Sequence, residues 1–513
     1  MTSPSKLTLR GYQVAAHEAL MNGFGEFRKQ LLVQPTGGGK TVQFAHLAAA
    51  LQPRRTLVLA HREELIAQAV DKIHRCTGLM ADVEMGEHRA RPTAPVVVAS
   101  VQTLARAARR ERWAPDHFGL IVVDEAHHIL ADSYLNTLRY FDQHAFVLGV
   151  TATPDRGDKK SLGRYFENIP YEVTLLDLIR QNWLVPIRVK TVPLEIDLGD
   201  CRTTSGDWNA EDVGHAVEPF LDRIVDVLVE HGHRKTIVFM PLVSLSREFA
   251  ALCSARGLAA GHVDGQSPDR AEILARFSRG EIRVLSNAML LTEGYDEPSI
   301  DCVVCLRPTK VRSLYSQIVG RGTRLCSNKN HLFVLDFLWM SEQHSLIRPG
   351  HLIAGDTEEA DAITEALGIE GDLDAAKEKV AADRAAVLRQ RLAANKHRHA
   401  RTFDPIEFAV ALNDATLAEF TPTMDWHFHA VSEPQSQLLA KCGFDPATIL
   451  CKGHAGAILD KLFLRRDLGL ATPEQVRWLR KFDHPHPELA TFAEASAFLD
   501  QRWGNKRHEP ATA

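Results

Sequence analysis

The segment Pro35-Thr36-Gly37-Gly38-Gly39-Lys40-Thr41 follows an apolar run, Leu31-Leu32-Val33, and precedes a helix-compatible stretch from Val42 to Leu51. Glycines lack a Cβ, so their backbone N–H groups can close around a phosphate chain, with Lys40 pairing with the terminal phosphates and the Thr41 hydroxyl ligating Mg²⁺. The strict spacing of such loops has a glycine five positions before Gly39, where this chain carries Gln34. Thr36, the three glycines, Lys40 and Thr41 are all present, so phosphate binding stays the expectation. The competing reading, an ordinary Gly-rich turn, is weakened by a second motif. Further on, Ile121-Val122-Val123 runs into Asp124-Glu125-Ala126-His127. A carboxylate at the C-terminal edge of a parallel strand sits where such sheets bind ligands, so Asp124 is expected in the Mg²⁺ shell, with Glu125 activating a water. A third constellation, Gln317-Ile318-Val319-Gly320-Arg321-Gly322-Thr323-Arg324, sets two arginines three residues apart. Brought across a cleft, such guanidinium groups stabilise charge that develops during phosphoryl transfer.

These groups need a scaffold. Apolar runs at Thr56 to Ala60, Val96 to Ala99, Leu120 to Val123 and Phe146 to Val150 alternate with amphipathic stretches, and a second series follows at Thr236 to Met240, Ile282 to Leu285, Cys302 to Leu306 and His331 to Leu335. Such strands imply parallel sheets covered on both faces, hence two α/β lobes in tandem. The lobe boundary is expected near Val185, with a polar interruption from about Pro193 to Glu211. After Phe337 the strand pattern stops. From about Asp372 to Ala400 the chain is rich in helix formers, with a thin apolar stripe of Ala376, Val380, Val387 and Leu392 that suggests an exposed helix. The last section repeats at an offset of 40 residues, aligning Gln435 with Gln475, Leu439 with Leu479, Ala455 with Ala495 and Leu459 with Leu499. Two copies of one helical unit are expected to pack on each other. The domains predicted are therefore 1–184, 185–345, a helical linker region over 346–430 and a helical repeat domain over 431–513.

Composition bounds the class. With 513 residues, 45% hydrophobic and 24% charged, the chain is an ordinary globular one with room for several domains. A net charge of -5 excludes a histone-like polycation, so nucleic acid would have to be met by local basic grooves. Eight dispersed cysteines fit a reducing cytoplasm better than a disulfide framework. No stretch approaches the ~20 apolar residues needed to cross a bilayer, so no membrane role is expected. The single Cys-x-x-Cys, Cys302 to Cys305, lies in a predicted strand where the two side chains face opposite ways, so buried sheet cysteines are expected rather than a zinc site. The tract Lys396-His397-Arg398-His399-Ala400-Arg401 is read either as a phosphate contact or as a solvated helix end.

The ordered motifs resemble those of superfamily 2 helicases of the DEAD/DEAH-box type, most closely the RadD group, with the XPB and UvsW motors as looser relatives. The resemblance covers roughly Leu7 to Phe337 and implies two RecA-like parallel-sheet lobes followed by an α-helical C-terminal region. It further implies an ATP- and Mg²⁺-dependent helicase or translocase. Leu9-Arg10-Gly11-Tyr12-Gln13 resembles the adenine-recognising motif, making Arg10 and Gln13 base contacts by analogy. Leu59 to Leu65 and Ser100 to Leu104 resemble motifs that track a nucleic-acid backbone, which implies contacts from His61, Arg62, Ser100, Gln102 and Thr103. Thr151-Ala152-Thr153-Pro154 resembles the motif that links hydrolysis to strand movement. Leu291-Thr292-Glu293-Gly294-Tyr295-Asp296 resembles a motif touching both ligands, which implies nucleotide contacts from Gly294 and Asp296 and a strand contact from Thr292. Gln317, Arg321 and Arg324 are then catalytic, with Lys40 and Glu125. The cysteine-rich zinc module of the RadD group has no counterpart here. DNA is favoured over RNA, in repair or recombination. A motor subunit of a restriction or anti-phage system and an RNA helicase are the alternatives. The C-terminal repeat, with Lys452, Lys461, Arg465, Arg466, Arg477, Arg480 and Lys481 near Trp478 and Trp503, is read as a docking surface for nucleic acid or a protein partner, or as a structural cap.

Overall fold

The computed structural model describes residues 8–152, 162–204, 206–288, 291, 295–339, 346–394, 417, 420, 422, 425–482 and 484–506. It divides into two compact units, Met1–Lys377 and Glu378–Ala513. The first unit opens with a seven-stranded sheet built from β1 (Lys29–Val33), β2 (Thr56–Ala60), β3 (Ala81–Glu84), β4 (Val96–Ser100), β5 (Leu120–Asp124), β6 (Phe146–Thr151) and β7 (Asn168–Glu172), in the order β3-β4-β2-β5-β6-β1-β7. Every pairing is parallel. β2, β4 and β5 are buried along their whole length, which is why they read as unbroken apolar runs. Leu32, Val58, Val122 and Leu148 pack with Phe44, Leu47 and Ile73 of the covering helices in one core.

A second seven-stranded sheet comprises β8 (Ile187–Ile196), β11 (Thr236–Phe239), β12 (Ala260–Val263), β13 (Val284–Asn287), β14 (Cys302–Cys305), β15 (Leu332–Trp339) and β16 (Glu370–Asp372), in the order β12-β13-β11-β14-β15-β8-β16. Only β16 runs antiparallel, against β8. Two features depart from the sequence reading. The stretch from Pro193 onward does not interrupt the lobes, because β8 continues through it and Leu194, Ile196 and Leu198 are buried in the second core. Its polar part folds as a hairpin of β9 (Thr203–Thr204) and β10 (Asp207–Trp208), whose Asp207 accepts hydrogen bonds from Thr309 Oγ1 and the Lys310 N–H, both at 2.9 Å. Residues 346–372 are also no free linker, since β16 extends the second sheet and Ala360, Ile363 and Leu367 of the helix Thr357–Leu367 are buried. Cys302 lies in that core, and Cys305 Sγ donates to the Arg307 carbonyl at 3.1 Å.

The helix Leu373–Ala394 covers most of the predicted long helix, with Ala376 and Val380 buried rather than exposed. The side chains of Val387 and Leu392 and the basic tract from Lys396 lie outside the described residues. In the second unit the helices Glu433–Lys441 and Lys452–Asp467 are followed by Pro473–Lys481 and Phe492–Lys506. Equivalent contacts recur 40 residues apart: capping boxes start at Ser432 and Thr472, and the N–H of Lys452 bonds His429 as that of Phe492 bonds Gly469. Leu439 and Leu479, like Ala455 and Ala495, are fully buried. Arg465 is not a surface cation. Its guanidinium is buried and donates to the Ala471 carbonyl at 2.8 and 3.1 Å and to the Glu488 carbonyl at 2.9 Å, stapling one copy to the next. Trp478 is part-buried and stacks on Phe482 at 5.9 Å. Replacing Arg465 with Met leaves those carbonyls without their donor, so the second copy is expected to lose about 1–3 kcal/mol of stability. Faster limited proteolysis between residues 468 and 492 is the readout.

Candidate active site

The phosphate loop joins β1 to the helix Lys40–Ala50, which starts at Gly39 in the left-handed region (φ 81°) after Gly37 at φ 86°. Both angles suit glycine and turn backbone N–H groups toward the helix N-terminus, where an anion is favoured. The loop is braced from behind through one carbonyl. Gly38 O accepts from the Tyr12 hydroxyl at 2.6 Å, from Gln13 Nε2 at 3.1 Å and from Gln34 Nε2. This explains the departure from the strict spacing, because Gln34 replaces a conformational device with a hydrogen bond. A Cβ on Gly38 would lie 2.9 Å from Gln34 Cγ, so the brace requires glycine there. Gln13 also accepts from the Arg10 N–H at 2.9 Å, so both of its polar atoms are engaged within the protein. The Arg10 guanidinium lies 5.2 Å from the Trp183 ring centre. Thr36 Oγ1 is buried without a hydrogen-bond partner.

The acid pair follows β5. Glu125 is one of two non-glycine residues with positive φ among those described (φ 50°), and its backbone N–H bonds the Asp124 carboxylate at 3.0 Å. That turn sends the Glu125 side chain to Lys40 Nζ at 3.1 Å and to His127 Nδ1 at 3.5 Å. Burial and the adjacent Glu125 carboxylate push Asp124 up to about 6. Glu125 is equally buried, yet Lys40 and His127 outweigh that burial and hold it below the usual carboxylate range. Two acids therefore share one ammonium. The position of Thr41 at the helix start and the surplus negative charge at Asp124 fit a divalent cation held by these two residues. His127 also lies 3.5 Å from Thr151 Oγ1 at the end of β6. Among the described residues no group of three or more His, Cys, Asp or Glu side chains is placed to hold a metal by itself.

The second lobe meets this loop directly. A Cβ on Gly320 would lie 2.5 Å from Thr36 Cβ, and one on Gly37 would lie 3.2 Å from Thr323 Oγ1 and 3.7 Å from Arg324 Cγ. Of the two arginines, Arg324 therefore runs along the loop, and its guanidinium pairs with Asp296, which Lys72 of the first lobe also approaches at 3.7 Å. Arg321 is buried and donates to the Tyr295 carbonyl at 2.7 Å, while Gln317 is buried on the helix Arg312–Gly320. Lys329 supports this turn from beneath, donating to the carbonyls of Pro298 (2.6 Å), Ile300 (2.9 Å) and Gly322 (3.0 Å). Burial lowers its ammonium to about 8.

The predicted strand-tracking residues gather at the C-terminal ends of β2 and β4, which pair Ala60 with Ser100. Ser100 Oγ donates to Gln102 Oε1 at 2.8 Å, and Gln102 Nε2 reaches the His61 carbonyl at 3.2 Å, tying the two motifs together. Arg62 precedes the helix Glu63–Thr77, and Thr103 Oγ1 accepts the Gly86 N–H at 3.3 Å. The His61 and His128 rings lie 5.1 Å apart, linking this edge to the acid pair. Glu64 meets Arg270 of the second lobe at 3.5 Å. Thr292 and Gly294 lie outside the described residues, as do Thr153 and Pro154. Sequence reasoning missed the roles of Tyr12, Gln34, Lys72 and Trp183. Tyr12 and Gln34 stood inside the motifs, but neither residue type announces a grip on a carbonyl.

Residues 6–156 match the family described as type III restriction enzyme, res subunit, and residues 220–326 match the helicase conserved C-terminal domain. The chain is 32% identical over 400 residues to "Putative ATP-dependent helicase IRC3" of Saccharomyces cerevisiae, covering 72% of this chain and 58% of that one. It is 33% identical over 348 residues to "Putative mitochondrial ATP-dependent helicase irc3" of Schizosaccharomyces pombe, covering 64% and 57%. The chain thus spans less than three fifths of the length of either relative. In fold it is similar to the fragment of "a putative HsdR subunit of a type I restriction enzyme from Vibrio vulnificus YJ016", with a TM-score of 0.54 and 23% identity over 69% of this chain and 68% of that one.

The close Gly320–Thr36 approach makes a sharp prediction. In Gly320→Ala the added methyl would overlap the Thr36 side chain, so lobe closure should fail while each lobe keeps its fold. Any turnover of ATP at this site is expected to fall by about 10²-fold with a nearly unchanged melting temperature, and Gly320→Ala/Thr36→Gly, which removes the opposing Cβ, should recover part of it.

Proposed function

The chain belongs to the superfamily 2 helicases, and from that premise we propose that it is a nucleic-acid-stimulated ATPase that closes and opens its two lobes once per turnover to move a strand. The observation that carries this reading is the packing of Gly320, Thr323 and Arg324 of one lobe on Thr36 and Gly37 of the other. ATP would lie with its phosphates in the loop, taking Lys40 away from Glu125. Thr41 and Asp124 would hold Mg²⁺, which would neutralise charge on the phosphoryl oxygens. Glu125, released from Lys40 but still beside His127, then orients the attacking water and accepts its proton. Arg324, with Arg321 and Gln317 behind it, supplies positive charge from the far side, and Asp296 keeps Arg324 on station. Gly294 is assigned to the nucleotide on family resemblance. On the base side, Arg10 is the better-placed contact, because Gln13 already spends its amide on Gly38 and Arg10.

His61, Arg62, Ser100, Gln102, Thr103 and Thr292 are assigned to a nucleic-acid backbone. DNA is favoured over RNA, on the resemblance to repair and recombination motors. The match of the first lobe to a restriction-enzyme family supports a second reading, a motor subunit working with a separate nuclease. No helix among the described residues is long and apolar enough to cross a membrane, and the eight free cysteines suit a reducing compartment, which we take to be the cytoplasm. The helical repeat is assigned to partner docking.

Lys40→Ala should abolish nucleic-acid-stimulated hydrolysis, whereas Glu125→Gln should bind ATP and fail to hydrolyse it; near-normal turnover in either refutes the assignment. Steady-state ATPase compared across single-stranded DNA, duplex DNA, forked DNA and RNA should show strongest stimulation by a DNA form. Preferred activation by RNA would overturn the DNA assignment, and a nuclease co-purifying with the chain would favour the restriction reading.

A further inference from the structure

The segment joining the lobes touches the base-side motif, the phosphate loop and the arginine turn. The helix Leu175–Arg180 ends with Asn182 in the left-handed region (φ 59°), the other non-glycine residue of positive φ among those described. The Asn182 N–H bonds the Ile179 carbonyl at 2.9 Å and the Trp183 N–H bonds that of Leu178 at 2.8 Å, a closed helix end that fixes the direction of the next three residues. Each of the three then meets a different motif. Trp183 carries the Arg10 guanidinium on its face and packs beside Tyr12 at 5.9 Å, and the Tyr12 hydroxyl holds the loop at Gly38. Leu184 is buried, with its Cδ2 3.2 Å from where a Cβ of Gly37 would stand. The backbone of Leu184 bridges antiparallel to Arg324, and the Val185 N–H donates to the Thr323 carbonyl at 2.8 Å.

We propose that Leu184, held in register by Trp183, is a positioning residue that sets Arg324 at its working distance from the phosphate loop. This rests on the ATPase reading above. The physical reason is rigidity. Arg324 sits on a turn whose backbone is paired to the joining segment, and that segment is wedged against Gly37 by one apolar side chain. Packed side chains transmit displacement, so a cavity at Leu184 lets the paired turn drift away from the loop. Trp183 ties the same segment to the base side of the site, so occupancy there and the placement of Arg324 are coupled through three consecutive residues.

The test uses the full chain with a saturating nucleic-acid activator. Leu184→Ala is expected to lower kcat by about 10- to 100-fold while KM for ATP stays within about twofold, the signature of an interaction made in the transition state. Leu184→Met, which keeps the volume, should restore most of kcat. Should Leu184→Ala melt below the assay temperature, Leu184→Val carries the same kcat-to-KM comparison. In a Glu125→Gln background, ATP should change tryptophan emission, and adding Trp183→Phe should remove that change. Unaltered kcat in Leu184→Ala and Leu184→Val, or an emission change that survives Trp183→Phe, overturns the inference and leaves the ATPase reading standing. A wild-type chain with no ATPase under any activator sinks both.

Discussion

The largely buried ion pair between Lys40 and Glu125 is the interaction on which the candidate site turns. Removing an ammonium and a carboxylate from water costs several kcal/mol per ion, and the cost is recovered only where geometry is close and the remaining polar atoms are satisfied. Here the recovery is incomplete, since Asp124 is a second buried carboxyl near the same ammonium, and its burial together with the adjacent Glu125 charge pushes it up despite Lys40. Such a site is electrostatically short of positive charge. On the proposed reading, a cation held by Thr41 and Asp124 and a guanidinium from the other lobe would each supply some, and a bound triphosphate would take Lys40 from Glu125. The interaction would then act as a latch released by ligand charge rather than by strain.

A latch of this kind works only if the loop holding Lys40 stays put, which is the purpose of the grip on the Gly38 carbonyl. Three side chains from two segments converge there, and two of them, Tyr12 and Gln13, belong to the motif expected to read the base. The base-side motif is therefore mechanically part of the phosphate loop. One consequence is that a change at Tyr12 acts on phosphate geometry as much as on base recognition.

Much of this was legible in the sequence because parallel strands buried on both faces must be apolar throughout, and because ligand chemistry collects where such strands end. The runs ending at Val33 and Val123 located the loop and the acid pair. The strands that escaped notice were those without such a signature: β3, β7, β12 and β16 at the sheet edges are only partly buried, β9 and β10 are two-residue strands of a hairpin, and β8 carries Arg188, Lys190 and Pro193 among its apolar residues. The helical repeat was readable since its copies keep Gln435 and Gln475 in the capping boxes and Leu439/Leu479, Ala455/Ala495 and Leu459/Leu499 in the cores. Arg465 was misjudged because a basic residue with no alignment partner looks like surface, whereas burial against three carbonyl contacts depends on how the copies dock. Trp183 and Leu184 were invisible for a similar reason: their roles come from what they touch across the seam.

Beside the backbone pairing of Leu184 and Val185 with the arginine turn, two kinds of side-chain contact bring the lobes together, and their energetics differ. Lys72 with Asp296 and Arg270 with Glu64 are partly exposed ion pairs, worth about 0–1 kcal/mol each and weakened by salt. Gly320 on Thr36 and Leu184 on Gly37 are short-range packing, indifferent to salt but steeply dependent on distance. A pair of lobes held mainly by the first kind would drift apart gradually and leave Arg324 at no defined distance. One held by the second is either seated or not, because a gap of even an ångström forfeits much of the contact. The ion pairs then bias the direction of approach, while the glycine-to-threonine and leucine-to-glycine contacts decide when the arginine has arrived. An ATPase that must not fire until its second lobe is in place has good physical reason to put small residues, rather than charges, at that point of contact.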